Sequence, residues 1–254
     1  MITIKNNQEI EKMREANRIV GKLLHKIGSI VKPGVSTLDL DNFAEQLIRS
    51  EGGRPAFKGY SVPGLPPFPA ALCTSVNSGV VHGIPSKTEI LQEGDIIGID
   101  VGVYKDGFYG DAARTYRVGQ ISSEAEQLLQ VTMEALDRGM AQARVGARVG
   151  DISYAIGSYV LDQGYFVADN LTGHGIGRRL HEDPVIPNWG AKGKGPRLGK
   201  GMTLAIEPMV NIGTNRVIEK GWEFFVEDGS LSAHYENTVL ITESDPEILT
   251  AYKN

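Results

Sequence analysis

The chain has 254 residues, 41% hydrophobic and 22% charged, enough for one large domain or two small ones with an ordinary core. A net charge of −5 without a Lys/Arg cluster argues against a nucleic-acid footprint, and the most basic run, Lys192 to Arg197, reads as a solvated Gly-rich loop. The single cysteine, Cys73, excludes an intrachain disulfide. With no signal-peptide core and no apolar run of membrane-spanning length, it points to a reducing, cytoplasmic setting.

Apolar residues at helical spacing predict a first helix over 9–30, in which His25 has a surface or packing role. Ser36 or Thr37 can cap a second helix from Leu38 to about Ser50, stopped by Gly52-Gly53. The stretch 59–69 is too rich in Pro and Gly for helix or central strand and reads as a surface loop. A strand over 70–75 then leads towards His82. Ile96 to Val103 and Phe108 to Val118 read as two strands around an Asp106-Gly107 turn. A third helix starts at Ser122 or Ser123 and runs to about Ala143, and a fourth spans Asp151 to about Gln163.

The hairpin organises the rest. A loop of 104–107, centred between Lys105 and Asp106, sets Asp100 directly opposite Asp111, with Cβ atoms roughly 5 Å apart on one face. Two carboxylates so placed in apolar strands require a shared proton or a cation between them, unless both are solvated at the turn. The second half repeats the first. Gly34, Asp39, Leu40, Ile48 and Gly52 fall on Gly146, Asp151, Ile152, Val160 and Gly164. Gly94 to Asp100 matches Gly201 to Glu207, and His82-Gly-Ile is echoed by His174-Gly-Ile. The expectation is one α+β domain over 1–254, built of related halves 1–118 and 119–254, each giving two helices followed by antiparallel strands. Glu207 and Glu236 also stand in apolar strands, where an isolated acid is rare. Four carboxylates and an imidazole holding two divalent cations account for the set.

These residues carry a resemblance to the type I methionine aminopeptidases, of the pita-bread (creatinase/aminopeptidase) fold, over nearly the whole chain. The matched motifs are Asn77-x-x-x-x-His82-Gly, Asp100 with Asp111, Gly173-His174-Gly-Ile-Gly with His181-Glu-Asp-Pro, Glu207-Pro and Glu236. The resemblance implies a pseudo-twofold fold with a curved antiparallel sheet backed by two helix pairs. By position it implies that Asp100 chelates one metal, that Asp111 and Glu236 bridge, and that His174 and Glu207 complete the other. His82 and His181 would face the substrate, with Glu207 as proton shuttle. The methionine pocket would use Tyr60, Phe68, Cys73, Leu180 and Trp222, although Leu180 replaces an aromatic residue common there. Ser61 to Pro67 looks like an insertion on the pocket rim, and His234 is left beside the metals or at the rim. Two divalent ions (Co, Mn, Fe or Zn), nascent-chain N-termini at the ribosome as partners, and a monomer complete the expectation. A proline-specific peptidase, a type II enzyme and a catalytically dead binding module of the same fold are the rivals. The 33 residues from His174 to Glu207 leave no room for the type II insertion.

Overall fold

A computed structural model describes residues 1–252. Helix α1 (Asn7–Ile27) starts earlier than its periodicity suggests, because Asn6 and Glu9 cap each other: Glu9 N–H donates to Asn6 Oδ1 at 3.0 Å and Asn6 N–H to Glu9 Oε2 at 2.9 Å. Helix α2 (Thr37–Ser50) is capped in the same way by Ser36 and Asp39. The strands of the first half are β1 (Arg54–Pro55), β2 (Leu72–Val76), β3 (Gly79–Val81), β4 (Ile96–Lys105) and β5 (Phe108–Arg117). Helices α3 (Ser123–Ala141) and α4 (Val149–Asp162) follow. The remaining strands are β6 (Phe166–Val167), β7 (Thr172–Gly175), β8 (Glu182–Pro187), β9 (Thr203–Ile206), β10 (Met209–Asn211), β11 (Val217–Lys220), β12 (Glu223–Val226), β13 (Ser232–His234), β14 (Asn237–Leu240) and β15 (Glu247–Ile248).

All pairings given by these strands are antiparallel. They divide the expected single sheet into four hydrogen-bonded sheets. In the first half β4 pairs with β5 on one side and with β1 and β2 on the other; in the second the order is β15-β14-β9-β7-β8. One apolar core lies between α1, α2 and the β4 sheet, around Ile19, Leu23, Leu40, Ile48, Ile97 and Ile99. Its counterpart lies between α3, α4 and the β9 sheet, around Leu128, Leu136, Ile152, Ile156, Leu204 and Ile206.

The repeat is visible in matched hydrogen bonds. Gly34 N–H donates to Leu91 O at 2.8 Å, and Gly146 N–H to Leu198 O at 3.0 Å. Asn77 N–H donates to Ile96 O at 3.0 Å, and Ile176 N–H to Thr203 O at 3.1 Å. Gly34 and Gly146 both take left-handed backbone, at φ 88° and 87°, which a side chain would resist.

Two expectations change. The β4–β5 loop is the two-residue Asp106-Gly107 turn, at φ 50° and 91°, so Lys105 faces Phe108, Asp100 faces Ala113 and Asp111 faces Gly102. Asp-Gly favours this tight turn because its twist matches that of the strands. The carboxylates are diagonal neighbours, and they stay on one face because the register moves by an even step. Secondly, Ser75 faces Gly98 as His174 faces Ala205, so His174 matches Ser75 in the repeat, while His82 matches His181. The shared His-Gly-Ile text is a coincidence of sequence.

Candidate metal centre

The two halves meet along β5 and the segment leading into β14. Glu236 N–H donates to Ala113 O at 2.9 Å, and Thr238 Oγ1 donates to Asp111 O at 2.8 Å. This seam brings Asp111 from one half to Glu236 and His174 from the other. Ligand-capable atoms of these three lie within 4.8 Å of one another, as do those of Glu207, His234 and Glu236. Asp100 lies on β4, and Glu207 directly follows β9. Asp111, His174, His234 and Glu236 are buried, and Asp100 and Glu207 keep partial exposure.

The electrostatics are those of anions gathered without a counter-charge. Burial pushes the Asp100 carboxyl up to about 7 and that of Glu207 to about 8. Burial, then the neighbouring carboxylates, raises Asp111 and Glu236 well above the usual range. Asp100 Oδ1, Asp111 Oδ1, Glu236 Oε1 and His234 Nε2 are buried without a hydrogen-bond partner. Orphaned oxygens of this kind are costly unless a cation takes them, so the donor set fits a hard or borderline divalent ion. His174 fits as well. Its Nδ1 donates to Gly175 O at 2.8 Å, which leaves the Nε2 lone pair facing Glu207 Oε1 at 3.5 Å. Burial lowers its basicity to about 3, keeping the ring neutral.

His82 and His181 flank the acids and line a cavity of about 630 Å³ with His174 and Glu207. His82 takes a left-handed backbone (φ 58°), its ring edge-on to Phe224 and Trp222 at centroid distances of 5.7 and 6.4 Å. His181 Nδ1 lies 2.7 Å from the Tyr60 hydroxyl. Phe68, Cys73, Leu180 and Trp222 share one apolar cluster, against which Tyr60 and the loop residues Val62 and Leu65 pack. Trp222 Nε1 donates to Pro66 O at 2.8 Å, so the 61–67 loop is fastened to this cluster.

Sequence reasoning missed the amino-terminal segment. Lys5 Nζ donates to Glu182 Oε2 at 2.8 Å, with both side chains buried, and Glu182 is next to His181. The Met1 ammonium pairs with Asp183, and Met1 lines the same cavity as His174, His181 and Glu207. Such partners are 177 and 182 residues apart, and no local spacing reveals them.

Fold and centre together define a metallopeptidase of the pita-bread class. The model of metallopeptidase family M24 matches residues 11–243, and the chain belongs to that family. It is 51% identical over 252 residues to a methionine aminopeptidase of Clostridium acetobutylicum, covering 98% of this chain and 99% of that one. It is 45% identical to methionine aminopeptidase 1 of Bacillus subtilis, with coverage of 98% and 99%. The crystal structure of methionine aminopeptidase from Thermotoga maritima superposes with a TM-score of 0.95 at 44% identity, covering 98% and 99%. A prolidase from Pyrococcus horikoshii shares the fold at a TM-score of 0.78 and 21% identity; the match covers 99% of this chain and 64% of the prolidase.

Proposed function

We propose that this chain is a type I methionine aminopeptidase, hydrolysing the first peptide bond of proteins and peptides whose second residue is small. The observation that carries this reading is the convergence of Asp100, Asp111, His174, Glu207 and Glu236 across the seam, with buried oxygens lacking partners. Full-length relatives bear that name. In this reading Asp100, Asp111, His174, Glu207 and Glu236 would hold the divalent metal. The two halves, 1–118 and 119–254, then form one catalytic unit, since neither carries the whole ligand set.

Bound divalent ions supply Lewis acidity and a water acidic enough to act as nucleophile near neutral pH. The chain's own groups do the rest. Glu207 takes the proton of the attacking water and passes it to the leaving amine. With the Tyr60 hydroxyl as donor across its 2.7 Å contact to His181 Nδ1, the ring proton would sit on Nε2 and serve as the donor to the developing oxyanion. Trp222, Phe68, Cys73 and Leu180 receive the methionine side chain, where sulfur meets aromatic faces. His82, wedged between Phe224 and Trp222, narrows the space for the second residue.

The ion is Co, Mn, Fe or Zn, for mixed carboxylate and imidazole donors suit each. The substrates are nascent chains at the ribosome in the cytoplasm, and the enzyme works as a monomer. No helix among the described residues is long and apolar enough to cross a membrane. Chelator-stripped protein should not release methionine from Met-Ala-Ser, and Co or Mn should restore release. Met-Lys-Ser should be cut far more slowly. Full activity in verified metal-free protein would overturn the reading, and equal rates on the two peptides would overturn its specificity.

A further inference from the structure

His234 has no role in the ligand set above, yet the seam gives it a particular place. Asp111 N–H donates to Thr238 Oγ1 at 3.3 Å, and that hydroxyl donates back to Asp111 O at 2.8 Å. In the other half His234 N–H donates to Thr115 Oγ1 at 2.9 Å, and that hydroxyl donates back to His234 O at 2.9 Å. The register agrees: Ile99 faces Arg114 as Ile206 faces Asn237, so three positions earlier Asp111 and His234 correspond. The same backbone clamp therefore turns both side chains toward the acids.

The side chain of His234 is 4% exposed, and its Nε2 is buried with no hydrogen-bond partner. That atom lies 3.5 Å from Glu207 Oε2, whereas Glu207 Oε1 lies 3.5 Å from His174 Nε2. The two oxygens of Glu207 are thus divided between two imidazoles. His174 Nε2 offers a lone pair, since its proton is on Nδ1. An imidazole facing the other oxygen is most useful as a donor, because a carboxylate only accepts.

We propose that His234 is the positioning residue of Glu207: its Nε2–H holds Oε2 and leaves Oε1 alone to face the cation. The inference rests on the metal-centre reading above. It requires a closure of a few tenths of an ångström to reach ordinary hydrogen-bond length. Partners that orient a ligand in this way are worth about 10–100-fold in metal affinity.

The test is calorimetric titration of the full chain with Co²⁺, backed by proton NMR of the Co²⁺-loaded protein. His234→Leu should weaken Co²⁺ binding about 10–100-fold. His234→Gln, whose amide nitrogen can donate to the same oxygen, should recover most of that loss. In a Glu207→Gln background, His234→Leu should cost no further affinity, because it acts through Glu207. The number of strongly shifted imidazole N–H resonances should be the same in wild type and His234→Leu, since only His174 is bound directly. Loss of one such resonance in His234→Leu would make His234 a ligand and overturn the proposal. Wild-type affinity in His234→Leu would overturn it, as would equal losses in the Leu and Gln variants. If His174→Leu leaves Co²⁺ affinity unchanged, the metal-centre reading fails instead.

Discussion

Removing the cations should reverse the pH dependence expected of an ordinary acidic protein. In metal-free protein Glu207 titrates at about 8 when folded, against about 4.5 unfolded, and Asp100 at about 7 against about 3.8. An acid whose folded value is raised favours folding while protonated. Its contribution is present below the unfolded value and is lost as pH rises through the folded one. Between pH 7 and 8.5 this loss is roughly 1 kcal/mol from Glu207 and under half that from Asp100. Asp111 and Glu236 act with the same sign. The buried imidazoles oppose it. His82, His174 and His234 are held down to about 4, 3 and 4, and His181 is lowered as well, which favours folding above the normal histidine range. Their residual effect above pH 7 is only about half a kcal/mol. With a net loss of about 1 kcal/mol, at about 2–4 °C per kcal/mol for a chain of this size, the melting midpoint of chelator-stripped protein should fall by about 2–4 °C across the interval. Scanning calorimetry at pH 7, 7.5, 8 and 8.5 measures this directly. Adding Mn²⁺ should raise the midpoint more at pH 8.5 than at pH 7, because the ionised carboxylates then have their counter-charge. A metal-free midpoint that stays level or climbs over the interval would refute the reasoning.

Three further outcomes follow from the site. Glu207→Gln should abolish most turnover, as it removes a ligand charge and the proton acceptor together; near-normal kcat would exclude Glu207 from proton transfer. His181→Ala should keep metal affinity while kcat falls about 10²–10³-fold; loss of metal in that variant would show that the ring is a ligand. Replacing Ser61 to Pro67 by a short Gly-Ser link removes the carbonyl that accepts from Trp222 and the packing of Val62 and Leu65. KM for methionyl peptides should rise with metal affinity unchanged, and unaltered kinetics on several peptides would make the loop a neutral insertion.

Much of this molecule was readable from its sequence, because the signals involved are local. Helix α2 is capped by Ser36, one of the two caps the sequence offered, and the Asp106-Gly107 turn sits where the sequence put it. Even the misplaced register kept Asp100 and Asp111 on one face, since strand parity survives an even slip. The repeated Gly, Asp and apolar positions foretold two helix pairs, and their matched hydrogen bonds follow. The failures are of a different kind. His82 was aligned with His174 because identical tripeptides outweigh register, which only strand pairing defines. The sequence sets His234 beside the metals or at the rim, and what fixes it further is the hydroxyl of Thr115 and a carboxylate that reaches it from another strand. Neither has a signature within a window of neighbouring residues.

The docked amino terminus has a practical consequence for anyone producing this protein. An affinity tag fused ahead of Met1 would emerge beside the cavity and replace the ammonium that pairs with Asp183 by an uncharged amide. A few residues further in, the change would bear on Lys5 and Glu182, the latter adjoining His181. Rates measured on such a fusion would report the tag as well as the enzyme. Substrate preferences should be compared on protein in which Met1 carries a free ammonium.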